Sequence, residues 1–193
     1  MKTIIEVGAN SGTDTINLAA DGSTVYAFEP THELLVNNLW PLSKEYPNIK
    51  VVPFAVDTIN NFTTFNIAGQ SDWGCSSLHD FSGQWERFDF HYTDSYQVPT
   101  ITLYDFCSLY NINFIDYLWV DAQGNDFNCL LSLKDKINIV KEGRCEVALT
   151  KELYKDTNNN IKYVKPWLEQ HGFTVEIHPD PIRAEANLTF YRL

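Results

Sequence analysis

TIIEVGANSGTD, residues 3–14, is the stretch of sequence that decides the fold of this chain. Its β-branched start predicts a strand, and the helix-forming residues 15–20 that follow predict a helix. Between them, Gly8 and Gly12 can adopt turn angles closed to other residues and can let a ligand approach the backbone. Amides of the turn and of the helix end can donate to an anionic group. The stretch therefore predicts a ligand-binding loop, with a purely structural glycine turn as the alternative.

A second predicted strand, residues 24–28, also ends in an acid, Glu29, which Pro30 follows. An acid at the tip of the second strand of an α/β sheet can bind ribose hydroxyls. The two strand tips together predict a site for a nucleoside-containing cofactor. A dinucleotide fingerprint would be G-x-G-x-x-G, but Asn10 stands where its second glycine would be. The pattern acid-x-G-x-x-x-G instead resembles the first motif of class I S-adenosylmethionine (SAM) methyltransferases.

Length and charge narrow the classes of protein that the chain can be. Its 193 residues predict a single domain, residues 1–193, with a full core. A formal net charge of −11 opposes the phosphate backbone, so we expect no nucleic-acid partner. No apolar run is long enough to span a membrane, and the sequence enters a strand at once, so we expect no signal peptide. The four cysteines show no metal-ligand spacing, and Cys107, Cys129 and Cys145 are predicted to be buried thiols, which favours a cytoplasmic location. No metal site is predicted; Asp121, Asp126 and Glu146 could hold a divalent ion, but their spacing matches no ligand motif.

Strands and helices alternate along the chain as a doubly wound sheet requires. We therefore predict an α/β, Rossmann-like fold with a seven-stranded, mostly parallel sheet whose last strand is antiparallel. Beyond the first two strands, the predicted strands are 49–56, 115–120, 142–149, 173–177 and 188–191, with an additional edge strand at 62–67. The predicted helices are 32–45, 102–110, 126–131 and one that ends before Gly172.

Residues 68–97 lose this periodicity, within an aromatic-rich insertion at about 68–98. An aperiodic stretch of this length inside a compact domain is uncommon and is usually functional. We expect it to be a partial lid over the carboxyl edge of the sheet, with Trp73, Trp85 or Tyr92 lining a cleft for a small polar acceptor or a glycan. Packing of these aromatic residues as a satellite of the core is the alternative.

The order of the motifs resembles that of the FkbM family of methyltransferases. The matching motifs are EVGANSG (6–12), FEP (28–30), FAV (54–56), SSL (76–78), TITL (100–103), IDYLWVDAQGND (115–126), Glu146 and Gly172-Phe173. Two residues depart from the family pattern: Trp119 stands at the usual lysine and Gln123 at the usual glutamate of the fourth-strand motif. These departures bear on the acceptor rather than on the cofactor.

The resemblance implies SAM as the cofactor and methyl transfer, most simply O-methylation of a carbohydrate or similar hydroxyl compound, as the activity. The residues predicted to bind the cofactor are Glu6, Gly8, Asn10, Gly12, Asp14, Glu29, Pro30, Ala55, Val56, Asp57, Ser76, Asp121 and Gln123. Glu6 could instead orient the glycine loop, and Asp57 could be a solvated turn acid. The alternatives for the function are a SAM-binding domain without catalysis and a nucleotide-dependent oxidoreductase. The sequence allows a homo-oligomer but does not fix the oligomeric state.

Methyl transfer to a hydroxyl requires an in-line approach and a general base within hydrogen-bond reach. The predicted catalytic residues are Asp121 at the end of the fourth strand, Asp126 on the same loop and His91 in the insertion. Each has a structural alternative. Asp121 and Asp126 could cap the following helix, and His91, like His79, could be a surface or packing residue.

Overall fold

The computed structural model describes residues 1–69, 72–82, 91–180, 182 and 184–193. Its strands are β1 (Thr3–Val7), β2 (Thr24–Phe28), β3 (Ile49–Val52), β4 (Ala55–Val56), β5 (Asn61–Ile67), β6 (Asp94–Ile101), β7 (Ile115–Val120), β8 (Val140–Ala148), β9 (Thr174–Asp180) and β10 (Glu185–Tyr191). Its helices are α1 (Thr13–Ala19), α2 (His32–Leu34), a π-helical turn (Leu35–Leu39), α3 (Trp40–Glu45), α4 (Leu103–Leu109), α5 (Asp126–Leu131) and α6 (Ile161–Gln170), with 3₁₀ turns at Trp73–Cys75 and Lys134–Ile139.

Seven of these strands form the main sheet, in the order β3-β2-β1-β7-β8-β10-β9. The pairs from β3 to β8 are parallel, and β10 is antiparallel to both of its neighbours. This confirms the predicted fold. Because the central strands are parallel, the tips of β1, β2 and β7 lie at the same edge of the sheet.

The predicted third strand, residues 49–56, is wrong as one continuous strand. Pro53 and Phe54 separate β3 from β4, and β4 belongs to a second sheet of order β4-β6-β5. Proline has no N–H to donate to a ladder, so the strand leaves the main sheet at Pro53. The break turns Ala55 and Val56 toward the carboxyl edge, where they pair with β6.

The predicted loss of periodicity up to residue 97 is also wrong at its end, because β6 begins at Asp94. It pairs antiparallel with β5, from Asn61 opposite Thr100 to Ile67 opposite Asp94. Local patterning did not reveal β6, since Pro99 interrupts it and its partner lies about thirty residues away in sequence. The predicted strand at 62–67 is confirmed, although it pairs in the second sheet and not at the edge of the main one.

The helices pack the main sheet largely as predicted. The helical region 32–45 forms, although its middle turn is π-helical and buries Leu35 and Leu39. In α4, Phe106 is buried and meets Phe28 edge-on, with ring centroids 4.7 Å apart, whereas Leu109 is exposed. The four cysteines are buried free thiols. Among the helices in the described residues, none has the length and apolar character needed to cross a membrane.

Candidate active site

A cleft of about 410 Å³ opens at the carboxyl edge of the main sheet. It is bounded by the loops that follow β1, β2 and β7, by β4, and by the first part of the aromatic insertion. A cleft of this size suits a nucleoside-sized ligand, and the carboxyl edge is where α/β sheets bind ligands. The predicted site residues that line it are Glu6, Gly8, Asn10, Asp14, Glu29, Pro30, Ala55, Val56, Ser76, Asp121 and Gln123.

The glycines of the first loop are required by the protein's own packing. Gly8 has φ 88°, and a Cβ atom added to it would lie 2.0 Å from the carbonyl oxygen of Asp121. Gly12 has φ 85°, and its added Cβ would meet the side chains of Leu39 and Leu42 at 2.9 Å. The close approach that the sequence analysis assigned to a ligand is therefore made, at Gly8, by the neighbouring strand tip. The result is that the loops after β1 and β7 share one wall of the cleft.

Glu29 is fixed at the tip of β2. Its side chain is buried and accepts hydrogen bonds from the Asn10 amide at 2.9 Å and the Thr31 amide at 2.8 Å. Burial raises the pKa of this carboxyl. Each carboxylate oxygen can accept more than one hydrogen bond, so the group can still receive hydroxyls from the cleft that it lines.

Glu6 lies beneath the glycine loop and also lines the cleft. Only 1% of the residue is exposed, and its Oε2 accepts a hydrogen bond from the Thr15 hydroxyl at 2.6 Å. Burial raises the pKa of Glu6 to about 7, against the weaker opposing effect of the Thr15 hydrogen bond. A buried carboxyl with a strongly raised pKa in a cleft is typical of a functional site.

The loop after β7 is held by a chain of side-chain hydrogen bonds. The Gln123 Nε2 donates to Asp121 Oδ1 at 2.6 Å, and the Tyr154 hydroxyl donates to Gln123 Oε1 at 2.7 Å. Gln123 and Gly124 both have positive φ, 49° and 90°. Tyr154, in the loop after β8, was not predicted, and no spacing or motif around it in the sequence signals this role.

The described start of the insertion covers the cleft. Asp72, Trp73 and Ser76 line it, and the Ser77 hydroxyl donates to the Gln123 carbonyl at 2.6 Å. Tyr92 lies behind this cover, where it stacks on Phe81 with ring centroids 4.1 Å apart. Trp85 falls outside the described residues. The cover therefore contacts the β7 loop directly, with Trp73 facing the cleft.

Four predicted site residues are not among the described residues that line the cleft: Gly12, Asp57, Asp126 and His91. Asp126 is fully buried, and its carboxylate accepts from the Glu146 amide at 3.0 Å and the Ala122 amide at 3.3 Å. It therefore connects the β7 loop to β8, and it is not the N-cap of α5, which is Asn125. Its catalytic role stays a prediction. Asp57 accepts from the Thr58 amide at 2.7 Å, as a turn acid does.

Two further residues of the site were not predicted. Asn125 lines the cleft, donates from Nδ2 to the Val56 carbonyl at 2.8 Å, and has its Oδ1 2.9 Å from His79 Nε2. Trp119, noted only as a departure from the family pattern, lines the cleft with the Arg144 guanidinium 4.7 Å from its ring centroid. Within the described residues, no group of three or more His, Cys, Asp and Glu side chains could hold a metal ion.

A seven-stranded sheet of this order, with a glycine loop after β1 and acids at the tips of β2 and β7, defines the class I methyltransferase type of α/β protein. The sequence matches the Methyltransferase FkbM domain family over residues 6–175. The chain belongs to this family, as its motifs predicted. No significant match was found among curated proteins.

Solved structures with the same fold include methyltransferases from streptococci. A candidate methyltransferase from Streptococcus mutans, in complex with S-adenosylhomocysteine, is 13% identical with a TM-score of 0.53, covering 100% of this chain and 89% of that one. An rRNA methylase from Streptococcus thermophilus is 12% identical with a TM-score of 0.52, covering 100% and 87%. At these identities the similarity shows the fold alone.

Replacing Gly8 by Ala tests the contact between the first and fourth strand tips. Gly22 has nearly the same φ, 83°, but a Cβ added there meets nothing within 4 Å. We expect Gly22→Ala to lower the free energy of unfolding by about 1–2 kcal/mol, the cost of a left-handed conformation. Gly8→Ala should lose about 1–3 kcal/mol more from the steric overlap. Equal losses in urea denaturation would contradict this account.

Replacing Glu6 by Gln tests the buried carboxyl. Because the pKa is raised from 4.5 to about 7, the folded state retains a proton that the unfolded state has lost over this pH window. The free energy of unfolding contributed by Glu6 therefore falls as pH rises from 4.5 to 7, by about 3 kcal/mol in all. We expect Glu6→Gln to gain about 2–3 kcal/mol relative to wild type between pH 5 and pH 8. A constant difference across this range in urea denaturation would refute the assignment.

Proposed function

We propose that the protein is a SAM-dependent O-methyltransferase acting on a hydroxyl group of a carbohydrate or similar small polar acceptor. The observation that carries the proposal is the convergence of the glycine loop, Glu29 and Asp121 on one cleft. The buried cysteines are compatible with a cytoplasmic enzyme. Cytoplasmic location and homo-oligomerisation stay predictions.

Three groups of residues that line the cleft fit the three parts of SAM, its ribose, its methionine end and its adenine. Glu29, fixed by two backbone amides, accepts hydrogen bonds from the ribose hydroxyls. The glycine loop faces the methionine end of the cofactor. Phe54, Ala55 and Val56 supply an apolar wall for the adenine. Asp57, which we predicted to bind the cofactor, is not among the described lining residues, and this apolar wall replaces it in the proposal.

The chemistry requires an oriented acceptor and a base. SAM, when bound, supplies an electrophilic methyl group on a sulfonium. Asp121 lines the cleft, and the Gln123 amide donates to one of its carboxylate oxygens. Asp121 would accept the proton of the acceptor hydroxyl when the oxygen of that hydroxyl takes the methyl group that bound SAM would supply. Asp126 is assigned a supporting role because its carboxylate is engaged by backbone amides.

Charge favours an uncharged acceptor. Five carboxyl groups line the cleft, those of Glu6, Asp14, Glu29, Asp72 and Asp121, and burial raises the pKa of Glu6 and Glu29. The groups that are ionised repel an anionic acceptor, so a neutral polyhydroxylated compound suits the cleft better than an anion. The same field, with the net charge of −11, disfavours a nucleic-acid acceptor.

The direct test is binding and turnover with purified protein. We expect S-adenosylhomocysteine to bind by calorimetry and to raise the melting temperature, and SAM to be consumed with one of a panel of neutral sugars and glycosides. Binding without turnover on any hydroxyl compound would favour the SAM-binding domain without catalysis. Quenching of NADH fluorescence without SAM binding would favour the oxidoreductase.

Replacing Glu29 by Gln tests the proposed ribose contact. The amide keeps the size of the side chain but loses the charge, and its nitrogen must face one of two backbone donors. We expect the affinity for S-adenosylhomocysteine to fall by about 1–3 kcal/mol, the scale of hydrogen bonds to a charged group. Glu45→Gln, at an exposed position on α3, is the matched control. Undiminished affinity in Glu29→Gln would remove the ribose assignment.

Replacing Asp121 by Asn separates catalysis from binding. If the carboxylate takes the acceptor proton, methyl transfer should fall by about 10²–10⁴-fold, the usual contribution of a general base. Affinity for S-adenosylhomocysteine should change far less. Equal losses in initial-rate and calorimetric measurements would make Asp121 a cofactor contact only.

A further inference from the structure

Tyr154 is a buried tyrosine that contacts the site without lining it. Only 3% of the residue is exposed, and it is not among the described residues that bound the cleft. Burial holds the pKa of its phenol well above the usual range, so the hydroxyl stays protonated and can donate. It donates to the Gln123 Oε1 at 2.7 Å. The phenol hydroxyl of Tyr154 therefore contacts the site through Gln123.

The Gln123 carboxamide directs its oxygen toward Tyr154 and its nitrogen toward Asp121. With the oxygen engaged by the phenol, the nitrogen points at Asp121 and donates to Oδ1 at 2.6 Å. In the flipped orientation, the amide oxygen would face the carboxylate oxygen at that short distance, and two acceptors would repel each other. Tyr154 thus supports the orientation in which Gln123 stabilises the Asp121 carboxylate.

The ring of Tyr154 fixes the backbone of the same loop. A Cβ atom added at Gly124 would lie 2.5 Å from this ring, so only glycine leaves room for it. The insertion also contacts the residues on either side of Tyr154. The Ser82 amide donates to the Leu153 carbonyl at 2.9 Å, and the Lys155 amide donates to the Asp80 carbonyl at 2.8 Å. The loop around Tyr154 is therefore packed against both the β7 loop and the cover of the cleft.

We propose that Tyr154 is a positioning residue, which orients the Asp121 carboxylate through the Gln123 carboxamide. The inference rests on the proposed function, in which Asp121 and Gln123 face the cofactor and acceptor. In that arrangement Gln123, a neutral residue, acts as a hydrogen-bond donor to Asp121, whereas a second acid in its place would compete with Asp121 for a proton.

A double-mutant cycle between Tyr154→Phe and Gln123→Ala tests the coupling. Tyr154→Phe keeps the ring against Gly124 and removes only the hydroxyl. We expect each single variant to weaken SAM binding about 3–10-fold by calorimetry, and the double variant to bind no more weakly than Gln123→Ala alone. Losses that multiply in the double variant, or a Tyr154→Phe variant that binds SAM as wild type does, would overturn the proposal.

Tyr92→Phe is the matched control, since it removes a buried hydroxyl from the same aromatic cluster. That hydroxyl donates to the His79 carbonyl at 2.6 Å and not to Gln123. We expect Tyr92→Phe to lower stability about as much as Tyr154→Phe while changing SAM affinity less than twofold. An equal loss of affinity in both variants would reduce Tyr154 to a general packing role and overturn the proposal.

The NMR signal of the Gln123 side-chain amide shows, in the protein without ligand, whether Tyr154 holds this carboxamide in place. It is assigned by its loss in Gln123→Ala. We expect Tyr154→Phe to shift it and Tyr92→Phe to leave it in place. An unchanged signal in Tyr154→Phe would overturn the inference by itself. Failure of wild-type protein to bind SAM, with the signal shifting as expected, would instead reject the proposed function alone.

Discussion

The site depends on one backbone contact, the approach of Gly8 to the carbonyl of Asp121. No residue with a Cβ fits there, because that atom would lie 2.0 Å from the carbonyl oxygen. The Asp121 amide in turn donates to the Val7 carbonyl at 2.9 Å, so the two strand tips are joined on both sides. This junction places the glycine loop and the β7 loop side by side in one wall of the cleft. The other contacts of the cleft depend on this placement.

Two buried acidic side chains, those of Glu29 and Glu6, line the cleft. Glu29 and Glu6 are nearly inaccessible and are held by neutral donors, two backbone amides and one hydroxyl. Burying an ionisable group disfavours its charged form, which is why both have a raised pKa. A fold optimised for stability alone has no need of these groups.

Sequence patterns predicted the central strands well because β1, β2 and β7 are short runs of mostly apolar residues, with an acid directly after β2 and after β7. Such runs indicate a buried strand from the local sequence alone. They did not predict β6, whose pairing with β5 is long-range. The rule that ligands bind at the carboxyl ends of parallel strands correctly predicted that Glu29 and Asp121 line the cleft. It could not predict that Asp126 is buried behind the loop, nor find Tyr154, since both depend on how the β8–α6 loop packs in three dimensions.

The central claim is that SAM binds in the cleft at the carboxyl edge. A crystal structure with S-adenosylhomocysteine bound tests it most directly. The account predicts the ribose hydroxyls within hydrogen-bond distance of Glu29, the amino-acid end over Gly8 and the sulfur facing Asp121. Density for the ligand elsewhere on the protein, or in the cleft with Glu29 out of reach of the ribose, would contradict it.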